Sequence, residues 1–336
     1  MKKNCNVLLS ACLLWVMSVS LGGCTCGFDC SSDDDASTDP VSMTLLFAGG
    51  PVGELREVFI EVDRIDFMDG NTVMASIEEF NITDPEIDDG DLLSLDLLTL
   101  NTADGLVIDS DLSFTPDFLT IAIHLTGNNA TVLDEDGMSS DIVITDNVIQ
   151  LDGRTFNSGS QRFVIDFRLA RSLLRNASNN QYRIDENEVL LINTATTGTI
   201  SGNVDPDLFD DPACDDKSDP LEGNRLYLYE GVLAADQLEE LQSEGSTTGS
   251  PYAVTVPVQN SSGAYEYAFG FVPVDGAYTL AFACDAAEDD PESIDDINVP
   301  EPETQLVVIT EDNTDFDNNG ETLTCDFEPD ETCITP

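Results

Sequence analysis

Positive charge is what this chain has least of. Its 336 residues carry 12 Lys and Arg against 66 Asp and Glu, a formal net charge of −54. That shortage excludes nucleic acid held through its phosphates, because counterion release needs cations on the protein. Histidine is nearly absent, His124 being the single one, and no C-x-x-C pair accompanies it, so zinc is a poor reading. The chain lacks a G-x-S-x-G elbow, a P-loop and a dinucleotide fingerprint. It also lacks a repeat at solenoid spacing. No apolar run reaches the roughly 20 residues of a membrane-spanning helix.

The longest apolar run, 7–21, follows Lys2 and Lys3 and precedes Gly22 and Gly23. A positive start, a short apolar segment and small residues are the parts of a secretory signal. The ending Leu21-Gly22-Gly23-Cys24 resembles the bacterial lipobox. That resemblance implies cleavage before Cys24, acylation of its sulfur and new amine, and a membrane tether made of several chains, since one chain binds only marginally. Thr25 stands where an inner-membrane retention signal would have Asp, so the expected place is the outer membrane. Cysteine count agrees: after residues 1–23 are removed seven remain, and assigning Cys24 to lipid leaves six. These are Cys26, Cys30, Cys214, Cys284, Cys325 and Cys333. Export favours disulfides. The expected pairs are Cys214–Cys284 across the second strand-rich block and two local loops, Cys325–Cys333 and Cys26–Cys30.

The mature chain keeps ten basic residues and every acid, for a net charge of about −56. Two readings fit: adaptation to salty surroundings, which is favoured, or binding of divalent cations. A hydrophobic content of 41% with 16 Phe permits real cores. Residues 24–40 read as the lipidated cysteine and a flexible acidic stalk. Beyond them strand signals dominate. Val58, Ile60 and Val62 alternate with charged residues, Ile65 and Phe67 continue after a one-residue phase slip, and Asp69-Gly70-Asn71 makes a hairpin turn. Residues 118–127 and 161–170 repeat the alternation, with a turn at 134–137. A second block starts at 198–204 and continues through 224–231, 252–259, 263–284 and 304–310. Short helices are expected at 92–100, 168–177 and 234–242. The fold class is all-β, with two β-sandwiches and few short helices. Their expected spans are 41–198 and 199–310, followed by an acidic, Cys-containing tail at 311–336.

The first block runs from the strand and hairpin at 58–73 through "DLLTL" (96–100), "VIDF" (164–167) and Arg171-Ser172-Leu173 to "GTISGNV" (198–204). This order of motifs, over roughly 41–200, resembles the domain-of-unknown-function family 4382 of bacterial surface lipoproteins. Pro116-Asp117-Phe118 departs from the Gly-x-Tyr usual there, and His124 stands where Arg is usual. The second block resembles the carboxypeptidase-regulatory or prealbumin-like β-sandwich, through "LYLYEG" and the segment 267–280. Neither resemblance implies an enzymatic activity or brings catalytic residues.

The strongest local pattern for chemistry is Asp315, Asp317 and Asn319 before Gly320, three oxygens at alternate positions, with Asp326 at the twelfth. This spacing suits Ca²⁺, although Asp replaces the bidentate Glu and no flanking helices are evident. A solvated turn is the favoured alternative. His124 reads as an exposed or hydrogen-bonded structural residue opposite the isoleucines. Six of nine arginines fall in 154–183 (Arg154, Arg162, Arg168, Arg171, Arg175, Arg183), either as an anion-binding face or, as favoured, paired with carboxylates of their own domain. The expectation is a lipid-anchored envelope protein with a non-enzymatic binding or scaffolding role and a protein or glycan partner. The alternative is an accessory enzyme acting on polysaccharide or peptide through cleft carboxylates.

Overall fold

The computed structural model describes residues 39–328 except 54, 81, 83–91, 101, 102, 116, 128, 177, 180, 215, 216, 218, 242–248, 275, 288, 290–296, 311–315 and 317–319. Alternating residues in the first half form β1 (Val41–Ala48), β2 (Leu55–Asp69), β3 (Thr72–Ile77), β4 (Leu93–Asp96), β5 (Leu106–Phe114) and β6 (Phe118–Leu125). They continue as β7 (Thr131–Asp134), β8 (Ser139–Val143), β9 (Val148–Thr155), β10 (Gly159–Asp166), the one-turn helix α1 (Leu169–Ser172), β11 (Leu173–Asn176), β12 (Gln181–Ile184) and β13 (Leu190–Asn193). One sheet has the order β13-β10-β1-β5. The other runs β11-β12-β8-β7-β2-β6-β9, with β3 and β4 also on β2.

Strand β2 organises the larger sheet. Val58, Ile60 and Val62 point into the core, the register shifts between Val62 and Arg64, and Ile65 and Phe67 then point inward again. The phase slip in the sequence is therefore a β-bulge, whose extra residue restores the apolar face. Facing it, Met43, Leu45 and Phe47 of β1 and Phe163 and Ile165 of β10 complete one apolar core. The second half of β1, Leu45 to Ala48, is buried on both faces, which explains why it is apolar without a break. Its outward Leu46 and Ala48, with Val164, lie under Phe271 from the second half.

The second half forms β14 (Thr197–Val204), β15 (Arg225–Glu230), β16 (Ala253–Thr255), β17 (Val258–Gln259), β18 (Tyr265–Pro273), β19 (Tyr278–Ala283), β20 (Leu306–Ile309) and β21 (Thr322–Thr324). Sheets β17-β18-β14-β21 and β16-β15-β19-β20 enclose a second core of Ile200, Leu226, Leu228, Phe269, Leu280 and Phe282, among others. The apolar run 252–259 is split between the two sheets as β16 and β17, with Val256 and Pro257 between them. Proline has no N–H for the ladder, so the strand breaks there and changes sheet. The architecture is all-β, and the described residues fall within one compact unit, Ser37–Pro336.

Four expectations change. Of the helix expected at 92–100, residues 93–96 are strand, because Leu93 and Leu95 alternate inward against β2. Of 168–177 only one helical turn forms. From Leu173 the chain pairs with β12, whose open edge supplies a ladder that four isolated helical residues cannot match. Of 234–242 only the 3₁₀ turn Ala235–Gln237 remains. The expected tail is also not all tail: residues 322–324 run parallel to β14, and Leu323, Cys325 and Phe327 enter the second core. Gly202 allows this approach. A Cβ there would sit 1.7 Å from the Cys325 carbonyl oxygen, so only glycine lets the two backbones meet.

Cys214 and Cys284 form a disulfide with Cα atoms 5.9 Å apart, tying the loop after β14 to the end of β19. Cys325 is also disulfide-bonded. Its expected partner Cys333, and Cys24, Cys26 and Cys30, lie outside the described residues.

Candidate functional site

Where β10 ends, the chain must leave the sheet and turn into α1. It does so through Arg168, whose φ of 44° and ψ of 55° are left-handed. A side chain in that region costs on the order of 1 kcal/mol, so what the arginine does has to compensate. The Arg168 backbone N–H donates to Asp166 Oδ1 at 3.1 Å, closing the turn. Its guanidinium lies 4.7 Å from the ring centre of Tyr252, in the second half of the chain. The arginine side chain is only 11% exposed. Its Nε is shut from solvent and has no hydrogen-bond partner. Nη1 is 3.7 Å from Glu188 Oε2, beyond hydrogen-bond reach.

Arg171, three residues further on, is satisfied by contrast. Nε and Nη2 grip Glu188 as a fork, at 2.7 and 2.9 Å. Its Nη1 donates to the Pro251 carbonyl oxygen and lies 3.5 Å from Ser250 Oγ. Burial alone would raise the Glu188 carboxyl, but the bonds and charge of Arg171, with Arg168, hold it below its ordinary value. Burial pushes the Asp166 carboxyl up, against the pull of Arg168. Burial and the neighbouring Arg171 lower Arg168, although a guanidinium stays a cation in proteins.

These groups line a recess of about 50 Å³, walled by Gly49, Gly50, Asp166, Arg168, Tyr252 and Phe269, among others. It shares Pro51, Val52, Leu169, Ala170, Val254 and Thr255 with a neighbouring groove of about 480 Å³. The groove's other wall residues include Leu55, Leu173, Arg175, Tyr182, Arg225 and Asp289. Arg225 Nη1 donates to the Asp289 carbonyl at 2.7 Å. The Asp289 carboxylate accepts from Tyr227 Oη at 2.6 Å and the Leu241 N–H at 3.1 Å. A cleft between 300 and 1,000 Å³, with apolar side chains beside fixed polar groups, has the size of a small-molecule site.

The other sequence candidates fall elsewhere. Asp315, Asp317 and Asn319 lie outside the described residues, while Asp326 Oδ1 accepts the Asn203 N–H at 2.7 Å and its Nδ2 at 3.1 Å. Among the described residues no group of three or more His, Cys, Asp or Glu is placed to hold a metal. His124 Nε2 lies 2.9 Å from Asp66 Oδ2 without hydrogen-bond alignment, and Arg64 Nη2 is 3.4 Å from Nδ1. Ser76 Oγ donates to Asp66 Oδ1 at 2.8 Å. Serine and histidine thus both meet the carboxylate and not each other, so no nucleophile is activated there.

Of the six clustered arginines, Arg168 and Arg171 are brought together, and Arg154 packs 6.0 Å from the Phe163 ring centre. The sequence reading missed Asp166, Glu188 and Tyr252. Asp166 left a trace, a carboxylate inside the apolar run "FVIDF", whereas Tyr252 left none.

No family model matches the chain, and no curated protein matches it in sequence. Solved structures give loose superpositions. The TIE protein of Bacillus anthracis shares 11% identity at TM-score 0.18 over 85% of this chain, which spans 33% of that protein. The shaft pilin SpaA of Lactobacillus rhamnosus GG shares 12% at TM-score 0.19, over 87% of this chain and 100% of the pilin. A fimbrilin of Porphyromonas gingivalis shares 8% at TM-score 0.17, over 87% and 95%. Superpositions this loose do not carry those proteins' roles to this chain.

Proposed function

We propose that this chain is a non-enzymatic binding protein of the bacterial envelope, tethered through lipid on Cys24, which takes its ligand in the cleft beside Arg168. The observation that carries the binding role is the guanidinium in the recess. It is buried, it is held by a strained backbone, and its Nε faces no acceptor. Unpaired buried donors are rare enough in folded proteins that each calls for a cause. The carboxylates around the cleft are occupied as acceptors: Glu188 by Arg171, Asp289 by Tyr227 and Leu241, Asp166 by the Arg168 N–H. That favours binding over acid–base chemistry.

The lipobox-like Leu21-Gly22-Gly23-Cys24 supports the tether, and the motif order across 41–200 supports kinship with family 4382 lipoproteins. No helix among the described residues is long and apolar enough to cross a membrane. Fractionation of cells expressing the full chain tests the anchor. The wild type is expected with the outer membrane and Cys24→Ala in the soluble fraction. A Cys24→Ala chain that still sediments with membranes would sink the tether.

A further inference from the structure

We infer that the cleft binds a monocarboxylate with an apolar body, its head on Arg168 and its tail along the groove. The inference rests on reading the cleft as a binding site and adds the ligand's chemical class. Three observations point to it. First, Arg168 Nε has a proton to donate and meets no protein acceptor, and because it is shut from solvent an acceptor from outside must press into the recess to reach it. Second, the charges beside the recess balance, two guanidinium groups against two carboxylates. Arg171 forks onto Glu188, Arg168 Nη1 lies 3.7 Å from the same carboxylate, and Asp166 is the other acid, so an incoming anion meets no surplus of acid. Third, the recess is small while the adjoining groove is large, with an apolar side made by Val52, Leu55, Leu169, Leu173 and Val254 opposite a polar one that includes Arg225 and Asp289. A bare ion would fill the first and leave the second wet.

A carboxylate is the oxyanion that fits. One oxygen can take the Nε proton, and the flat group can lie beside a guanidinium already stacked on Tyr252. A doubly charged head would meet Asp166 at close range. Long-range repulsion from so acidic a protein opposes any anion in dilute buffer. At 0.5 M salt the Debye length is well under 10 Å, and only the groups lining the recess then matter.

The test is calorimetric titration of the mature full-length chain in 0.5 M NaCl with acetate, hexanoate and octanoate. 1-Octanol and octylammonium serve as controls of equal length. The dissociation constant is expected to fall about fourfold for each added methylene that enters the groove. Octanoate should bind at least tenfold tighter than either control. Arg168→Gln should lose at least tenfold for octanoate and little for octanol. Asp166→Asn removes the competing carboxylate, keeps an acceptor for the Arg168 N–H, and should bind octanoate tighter. That gain is one a merely structural role would not produce. Val52→Trp narrows the groove away from Arg168 and should abolish the dependence on chain length. Octanoate and octanol binding equally would overturn the carboxylate assignment and leave the cleft as a binding site. None of the five compounds binding would overturn both.

Discussion

Two half-buried or buried cations in this acidic chain are treated in opposite ways. Lys217 sits in the second half with its Nζ donating to four oxygens: Pro220 O at 3.1 Å, Glu222 O at 2.8 Å, Asn224 Oδ1 at 3.1 Å and Cys284 O at 2.6 Å. An ammonium has three protons, so this cage is over-filled and closed. Arg168 has an aromatic face, a distant carboxylate and no acceptor for Nε. A saturated cation stabilises the fold it sits in, whereas an unsaturated one is held ready for something else. In a chain with only 12 basic residues, leaving the Nε of one of them without an acceptor marks the cleft out.

The disulfide that backs the Lys217 cage should show the largest effect. Cys284→Ala opens a cross-link between residues 70 apart, and the chain-entropy model puts that at about 4 kcal/mol. Chemical denaturation should show the loss, and reduction of the wild type, which also opens the Cys325 disulfide, should cost at least as much. Next, Lys217→Met leaves four oxygens without their shared donor and should cost about 2 kcal/mol. Arg168→Gln gives up no Nε bond to the protein, only the Tyr252 ring and the charges of Asp166 and Glu188, and should cost less than Lys217→Met. Equal costs for the two would erase the distinction between a closed site and an open one.

A smaller effect separates the cleft's carboxylates by pH. Asp166 is raised in the folded state, so the fold binds its proton more tightly than the unfolded chain does. Stability from this group is therefore present at low pH and falls as pH rises from the ordinary Asp value of 3.8 through the raised one. Asp166→Asn should be more stable than wild type at pH 7, with the difference vanishing in acid. Glu188 is lowered, so its contribution is present above its unfolded value and disappears as pH falls through the folded one. Glu188→Gln should be less stable than wild type at pH 7 and converge with it in acid. Denaturation curves of both variants between pH 3 and 7 check the opposite signs.

Much of the fold was legible because strands announce themselves by alternation. The bulge in β2 could be read from the slip between Val62 and Ile65, and the hairpin from Asp69-Gly70-Asn71. Leu93 to Leu100 and the residues after Arg168 misled, because leucine spacing there satisfies a helix while a neighbouring strand edge decides the outcome. The return of Leu323 and Phe327 to the core was hidden by the acids around them. The cleft was half legible. The arginine cluster stood out by rarity, but the Arg171 contact with Pro251 joins residues 80 apart in sequence, and nothing local marks such a meeting.

The central claim is that Arg168 Nε is kept without a protein acceptor for a carboxylate. The most direct measurement is a crystal structure of residues 24–336 with an ω-bromoalkanoate, whose bromine is located by anomalous scattering. The expected result is a carboxylate oxygen about 3 Å from Arg168 Nε, with the bromine in the groove between Val52 and Leu173. A recess holding only water, with the bromine elsewhere or absent, would contradict it.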